Sequence, residues 1–170
     1  MKAIEAVDAV VEKLGESVLK VVRPEGLDRR AYVDVKAEDI LAVSKTMFED
    51  FRARLATVSG VDVRDGAEIL YHWCIERFVL DEPGDGEPPS VIVTVRALAA
   101  YPDLAIDSIV SVTEAANWVE REIHDLLGVT FRNHPDMRRL ILADDWPEGV
   151  YPLRRDFDVA AFRRKEYGDQ

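Results

Sequence analysis

Two long runs rich in β-branched and aromatic residues limit what this chain can fold into more than any other feature. They are 67–81 (A-E-I-L-Y-H-W-C-I-E-R-F-V-L-D) and 90–101 (S-V-I-V-T-V-R-A-L-A-A-Y). Val, Ile, Tyr, Trp and Thr fit a pleated, half-buried surface, and neither run holds a Gly or Pro to break it. The intervening D-E-P-G-D-G-E-P-P is turn chemistry with no apolar side chain except its prolines, so it reads as a mobile polar loop. Together they predict a long antiparallel hairpin. In the first arm Ile69, Tyr71, Trp73, Ile75 and Val79 point one way, and Leu70, His72, Cys74, Phe78 and Leu80 the other. Both sets are largely apolar, which predicts a central strand covered on both faces.

The flanking segments supply helices and further strands. Ile4, Val7, Val10, Val11 and Leu14 recur at helical spacing over 2–14, and Gly15 stands where a C-terminal cap falls. Strands are expected at 17–23 and 30–35 around the turn-rich P-E-G-L-D, and a short one at 55–64. Between them, Ile40, Leu41, Met47, Phe48, Phe51 and Leu55 predict one apolar helix face over 37–55. A third helix is expected over 114–127, capped by Thr113 or Asn117, with Glu120 reaching back to the cap amide and Gly128 closing it. Pro135, Pro147, Gly149 and Pro152 then forbid long regular elements, and the tail R-R-K-E-Y-G-D-Q reads as frayed. The fold class is α+β: a mixed or antiparallel sheet with a long central hairpin, helices packed on it and an irregular C-terminal segment. Residues 1–132 form the core, helix 114–127 included, and 133–170 form an irregular docking segment of the same domain.

Charge and apolar patterning exclude several partners. A net charge of -11 is wrong for neutralising nucleic-acid phosphates or adhering to anionic headgroups. No apolar run approaches the roughly 20 residues that span a bilayer, and M-K-A-I-E-A-V-D carries acids too early for a secretory signal, so a cytoplasmic chain is expected. The single cysteine, Cys74, reads as a small buried apolar side chain.

Chemistry-bearing residues concentrate between Trp118 and Phe157. In W-V-E-R-E-I-H-D-L-L-G, Val119, Ile123, Leu126 and Leu127 share a core face, while Trp118, Glu122 and Asp125 share another. Glu120 and Arg121 stand one turn before His124 and Asp125. This charged face is either solvated or a carboxylate row offered to arginines of this chain or a partner. A metal would have to be drawn from His72, Cys74, Glu120, Glu122, His124, Asp125 and His134, yet no H-E-x-x-H, C-x-x-C or calcium-loop spacing joins them. There is no G-x-S-x-G elbow and no phosphate-cradling glycine loop. In H-P-D-M-R-R, Pro135 holds His134 extended and Asp136 can accept amides from the residues that follow. One of Arg138 and Arg139 is expected to pair with Glu120, Glu122 or Asp125 while the other faces outward. P-L-R-R-D-F repeats the device with Arg154, Arg155 and Asp156. Arginine forks beside Trp118, Trp146 and Tyr151 are what protein interfaces favour.

E-R-E-I-H-D-L-L-G-V-T-F-R-N-H-P-D-M-R-R-L-I-L followed by P-L-R-R-D-F closely resembles the C subunit, or thirty-kilodalton subunit, of respiratory complex I. The same subunit recurs in membrane-bound hydrogenases. The matching positions are Trp118, Glu120, Arg121, Glu122, Asp125, Gly128, Phe131, His134, Pro135, Asp136, Arg138, Arg139, Pro152, Leu153, Arg154, Asp156 and Phe157, and Arg155 replaces the usual lysine. The resemblance implies a non-catalytic scaffold with no cofactor of its own. It would dock on a large subunit similar to that of nickel–iron hydrogenases and beside an iron–sulfur subunit. Iron–sulfur clusters and a nickel–iron centre would then belong to those partners. It implies a peripheral position on the cytoplasmic face of the membrane, reached indirectly through partner subunits. Partner contacts are expected at Trp118, Glu122, His134, Asp136, Arg138, Arg139, Trp146, Tyr151, Arg154 and Arg155. A structural role is expected for Glu120, Arg121, Asp125, Gly128, Pro135, Pro152, Asp156 and Phe157. The tail after Phe157 is short and without proline, which leans towards an ion-translocating hydrogenase-type complex; a quinone oxidoreductase and a soluble regulatory binding module are the alternatives.

Overall fold

The computed structural model describes residues 3–27, 29–76 and 90–168. Helix α1 (Ala3–Leu14) leads into strands β1 (Val18–Val22) and β2 (Arg30–Val35), then α2 (Ile40–Lys45). Three ten-residue strands follow: β3 (Arg54–Val63), β4 (Gly66–Ile75) and β5 (Val91–Ala100). After them come β6 (Ala105–Asp107), α3 (Ala116–Leu127), β7 (Thr130–Arg132) and α4 (Val159–Tyr167). Five strands form one mixed sheet in the order β1-β2-β5-β4-β3, with β2 and β5 parallel and the other pairs antiparallel; β6 and β7 form a small parallel ladder.

The expected hairpin is present, with β4 and β5 in unbroken register from Gly66↔Ala100 to Ile75↔Val91. The central strand is β5, not β4. Ile69, Tyr71, Trp73 and Ile75 are fully buried with Val91, Val93 and Val95, and α1, α2 and the turn after α2 pack on that side through Val7, Val10, Ile40 and Met47. Cover on the other face of β4 is partial. Cys74 is buried there, but Leu70 and His72 are only half-buried, and His72 bridges Ser59 Oγ (3.2 Å) and Thr94 Oγ1 (3.0 Å) across three strands. The expectation of full cover on both faces fails because every described helix of the core lies on one side. The loop 81–89 and the side chains of Phe78, Val79 and Leu80 fall outside the described residues.

Two other expectations change. The apolar stripe over 37–55 is not one helix face: α2 widens into a π-turn at Thr46–Asp50, with the Phe51 amide bonded to Thr46 O. The extra residue per turn keeps Met47 and Phe51 inside, rotates Phe48 outward, and leaves Leu55 to β3. The C-terminal tail is not frayed from Arg163; it forms α4 through Tyr167, started by Asp158, whose carboxylate accepts the Ala161 amide.

Candidate docking site

Helix α3 organises the site because it presents a different partner on each side. Its apolar residues Ile123 and Leu127 pack over β3, where Gly60 lets the helix approach: a Cβ there would stand 2.7 Å from Leu127 Cδ1. Glu120 is also turned inward and has no exposed surface. It does not reach back to the helix start, which lies at Ala115 without a side-chain cap. Its carboxylate accepts from Ser108 Oγ (2.6 Å) and the Ile109 amide (2.9 Å), tying the segment after β6 to the helix. Burial pushes its pKa up to about 7, although both hydrogen bonds oppose that shift. Tyr71, also fully buried, finds no hydrogen-bond partner for its hydroxyl among the described residues, and its pKa is raised by burial and by the nearby Glu120 and Asp107.

The opposite flank of α3 fixes the chain from 133 to 158. Asp125, expected on an exposed carboxylate row, is buried, and its Oδ2 collects the amides of Leu140 (2.7 Å), Ile141 (2.8 Å) and Leu142 (3.2 Å). Burial pushes the Asp125 pKa up, but the three amides outweigh it and hold the carboxyl below its usual range. Arg121 donates to the carbonyls of Arg138 and Arg139, both at 3.0 Å. The buried His134 ring accepts the Asp136 amide at Nδ1 (3.0 Å), which assigns its proton to Nε2, facing Asn117 O at 3.2 Å. Glu120 is 3.9 Å from that Nε2, so the two approach without a direct hydrogen bond.

At the helix end, Gly128 adopts φ 73°, and a Cβ there would meet the Tyr151 ring at 2.5 Å. That space admits Arg154, which lies over Tyr151 (4.5 Å to the ring centre) and donates from Nε to Leu127 O at 2.7 Å. The Leu153 amide caps Leu126 O (3.1 Å). Trp146 donates to Val150 O (2.8 Å), stacks on Phe162 of α4 (4.7 Å between centres) and tilts against Phe157. Arg154→Ala is therefore expected to loosen this loop itself, because the carbonyl end of α3 loses a charged cap. We expect a loss of about 1–2 kcal/mol in urea unfolding, with the Trp146 fluorescence more accessible to quencher.

The remaining predicted residues divide plainly. Among the described residues, neither Arg138 nor Arg139 pairs with a carboxylate of α3. Arg138 forks onto Asp136 (2.8 and 2.7 Å) with its side chain 84% exposed, and this guanidinium, with the Arg138 amide, drives the Asp136 pKa far below the carboxylate range. The Arg138 amide on Asp136 (3.1 Å) is the expected Asx turn. Arg139 donates to Ala143 O (3.0 Å), and Arg155 reaches Asp62 through its amide (2.9 Å) and guanidinium (3.4 Å). Trp118 and Glu122 are exposed on α3; Pro135 and Asp156 are exposed, Pro152 and Phe157 half-buried. Ser108 and the amides of 109 and 140–142 were invisible as partners in the sequence, since a backbone N–H leaves no residue signature. Among the described residues no three His, Cys, Asp or Glu side chains converge as a metal site requires. Cys74 is buried, and burial raises its thiol pKa.

The arrangement is a hub that shapes an irregular segment into a fixed surface, and its likeness to known proteins follows that outline. The model of the respiratory-chain NADH dehydrogenase, 30 Kd subunit, matches residues 33–163. The chain belongs to this family. It is 34% identical to the C subunit of the NADH-quinone oxidoreductase of Geotalea uraniireducens, over 95% of this chain and 92% of that one. It is also 34% identical to the C subunit of the F(420)H(2) dehydrogenase of Methanosarcina mazei, over 93% of each chain. A chain of the membrane-bound sulfane sulfur reductase, an archaeal respiratory membrane complex, superposes with a TM-score of 0.72 at 26% identity, covering 97% of this chain and 91% of that one. The trypsin-resistant fragment of Nqo5 shares the fold alone (TM-score 0.53, 20% identity) and covers 80% of this chain. This C-subunit homologue is thus a complex I-type subunit whose relatives belong to multi-subunit respiratory complexes. Among the described residues no helix is long and apolar enough to cross a membrane.

Proposed function

We propose that this chain is the docking subunit of a membrane-associated, complex I-related oxidoreductase, with no catalytic site or cofactor of its own. It binds the nickel–iron-hydrogenase-like large subunit, adjoins an iron–sulfur subunit, and sits peripherally on the cytoplasmic face of the membrane. The iron–sulfur clusters, and any nickel–iron centre, belong to the partners. One observation carries this reading. Arg121, Asp125 and Arg154 fix 133–158 to α3, while large apolar side chains on or bonded to that helix are left outward: Trp118 is 67%, Ile141 54% and Leu153 59% exposed.

The acceptor has two readings. The NADH-quinone oxidoreductase name of a relative of matching extent favours electron delivery to a quinone, and a hydrogenase-type complex is the other reading. Hydrogen evolution against quinone reduction by the purified assembly separates them. The docking reading is tested with Arg138→Ala. An exposed ion pair contributes little to folding, so the unfolding midpoint should stay at that of the parent, while recovery of the large subunit falls several-fold. Full recovery of the partner would remove Arg138 from the interface.

A further inference from the structure

We infer that the outer edge of β3 and the adjoining flank of α3 receive an extended strand of the large partner subunit, apolar at alternate positions and bearing a Lys or Arg opposite Glu122. This rests on the docking reading above and adds where, and by what kind of segment, contact is made.

The two edges of the sheet are built differently. Strand β1 has five residues, carries Lys20, and breaks register between Val18 and Lys20. A short strand, a lysine and a bulge are the usual means of blunting an edge against pairing. Strand β3 has ten residues, and from Leu55 to Val61 it carries neither charge nor proline. Its one irregularity lies at Leu55/Thr57, and among the described residues no strand pairs with its outer side. Alternate amides and carbonyls along Thr57–Val61 therefore point away from the sheet with their bonding capacity unused by a ladder.

Beside that edge lies a cleft of about 330 Å³ between β3 and α3, lined by Val58, Gly60, Val119, Leu126 and Leu153, with Glu122 also on it. A strand added at the usual spacing of roughly 4.8 Å would set every second side chain into this cleft. Its rear wall is held in place by the close packing of Gly60 under Leu127. Glu122 is exposed, and among the described residues no hydrogen bond or ion pair engages it. A cleft whose side chains are mainly apolar, with one unanswered carboxylate, calls for a strand with apolar residues at alternate positions and one cation. A second copy of this chain fits poorly, since it would bring another Glu122 and another net charge of -11 to the same edge.

The test is amide hydrogen exchange on the full chain, alone and in the complex purified from membranes. The outward-facing amides among Thr57–Val61 should exchange roughly tenfold or more slowly in the complex. Glu122→Arg should lower recovery of the large subunit by roughly tenfold with an unchanged unfolding midpoint, and Glu122→Gln should fall between. A bound large subunit with 57–61 exchanging at the free rate overturns this inference and leaves the docking function standing. Undiminished recovery with Glu122→Arg overturns the basic occupant. A free chain that is already a dimer with those amides protected assigns the edge to a second copy and overturns it as well. Failure to recover any large subunit overturns both this inference and the function on which it rests.

Discussion

Asp125→Ala is expected to release the chain from Leu140 onward while leaving the sheet folded. One carboxylate oxygen holds three consecutive amides, and hydrogen bonds to a charged acceptor contribute about 1.5–3 kcal/mol each when measured singly. The three are not additive, because the loop rehydrates as a unit, so the expected loss is about 2–4 kcal/mol. Its signature is local. Limited proteolysis should cut between 133 and 158, and exchange should accelerate at 140–142, with β4 and β5 still protected. Asp125→Asn keeps an acceptor and should recover part of the loss. The pKa direction adds a pH test. A carboxyl whose folded pKa is depressed stabilises the fold above its unfolded pKa and loses that contribution as pH falls. The parent loop should therefore open in acid, and the Asn variant should show a smaller acid dependence.

Glu120 is expected to act with the opposite sign. Its folded pKa of about 7 lies above the ordinary value of 4.5, so the folded state holds the proton more tightly than the unfolded chain. Stability is then greatest below about pH 4.5 and is lost as pH rises from there towards 7. The full difference is about 3 kcal/mol, at roughly 1.4 kcal/mol for each pH unit between the two values. Glu120→Gln should remove this dependence. The Gln oxygen can take the Ile109 amide, and the Ser108 hydroxyl can rotate to accept from the new amide. Urea unfolding at pH 5 should find the two proteins within about 1 kcal/mol, and at pH 8 the Gln variant more stable by up to about 3 kcal/mol. Glu120→Ala should instead lose about 2–4 kcal/mol at pH 5, through a cavity and two buried donors left unpaired. Parallel pH curves for parent and Gln variant would remove Glu120 as the source.

Much of this architecture was legible because it is local. Richness in β-branched and aromatic residues over 67–81 and 90–101 announced the hairpin, helical spacing announced α1, and Gly128 marked the end of α3, where its φ is positive. What was hidden is non-local or carried by backbone. Strand β5 became central through its parallel pairing with β2, some sixty residues earlier in sequence, which no periodicity in either strand encodes. A π-turn shifted Phe48 outward without a residue type that signals it. Asp125 looked like a surface charge and Glu120 like part of the helix cap, because their partners are distant amides and one serine. The helix α4 was readable in principle, since Asp158 precedes V-A-A-F as a cap should, but the run of charges after it is what a frayed tail also carries. Motif resemblance identified the family; only the folded chain showed that its signature first grips its own backbone.

The central claim, that this surface exists to hold a partner subunit, is tested most directly by recovering the tagged full chain from native membranes in mild detergent and identifying what comes with it. The account predicts a hydrogenase-like large subunit and an iron–sulfur subunit in near-equal amounts, lost in parallel when Arg138 is replaced by Ala. Recovery of the chain alone, or with proteins unrelated to a complex I-type oxidoreductase, would contradict it.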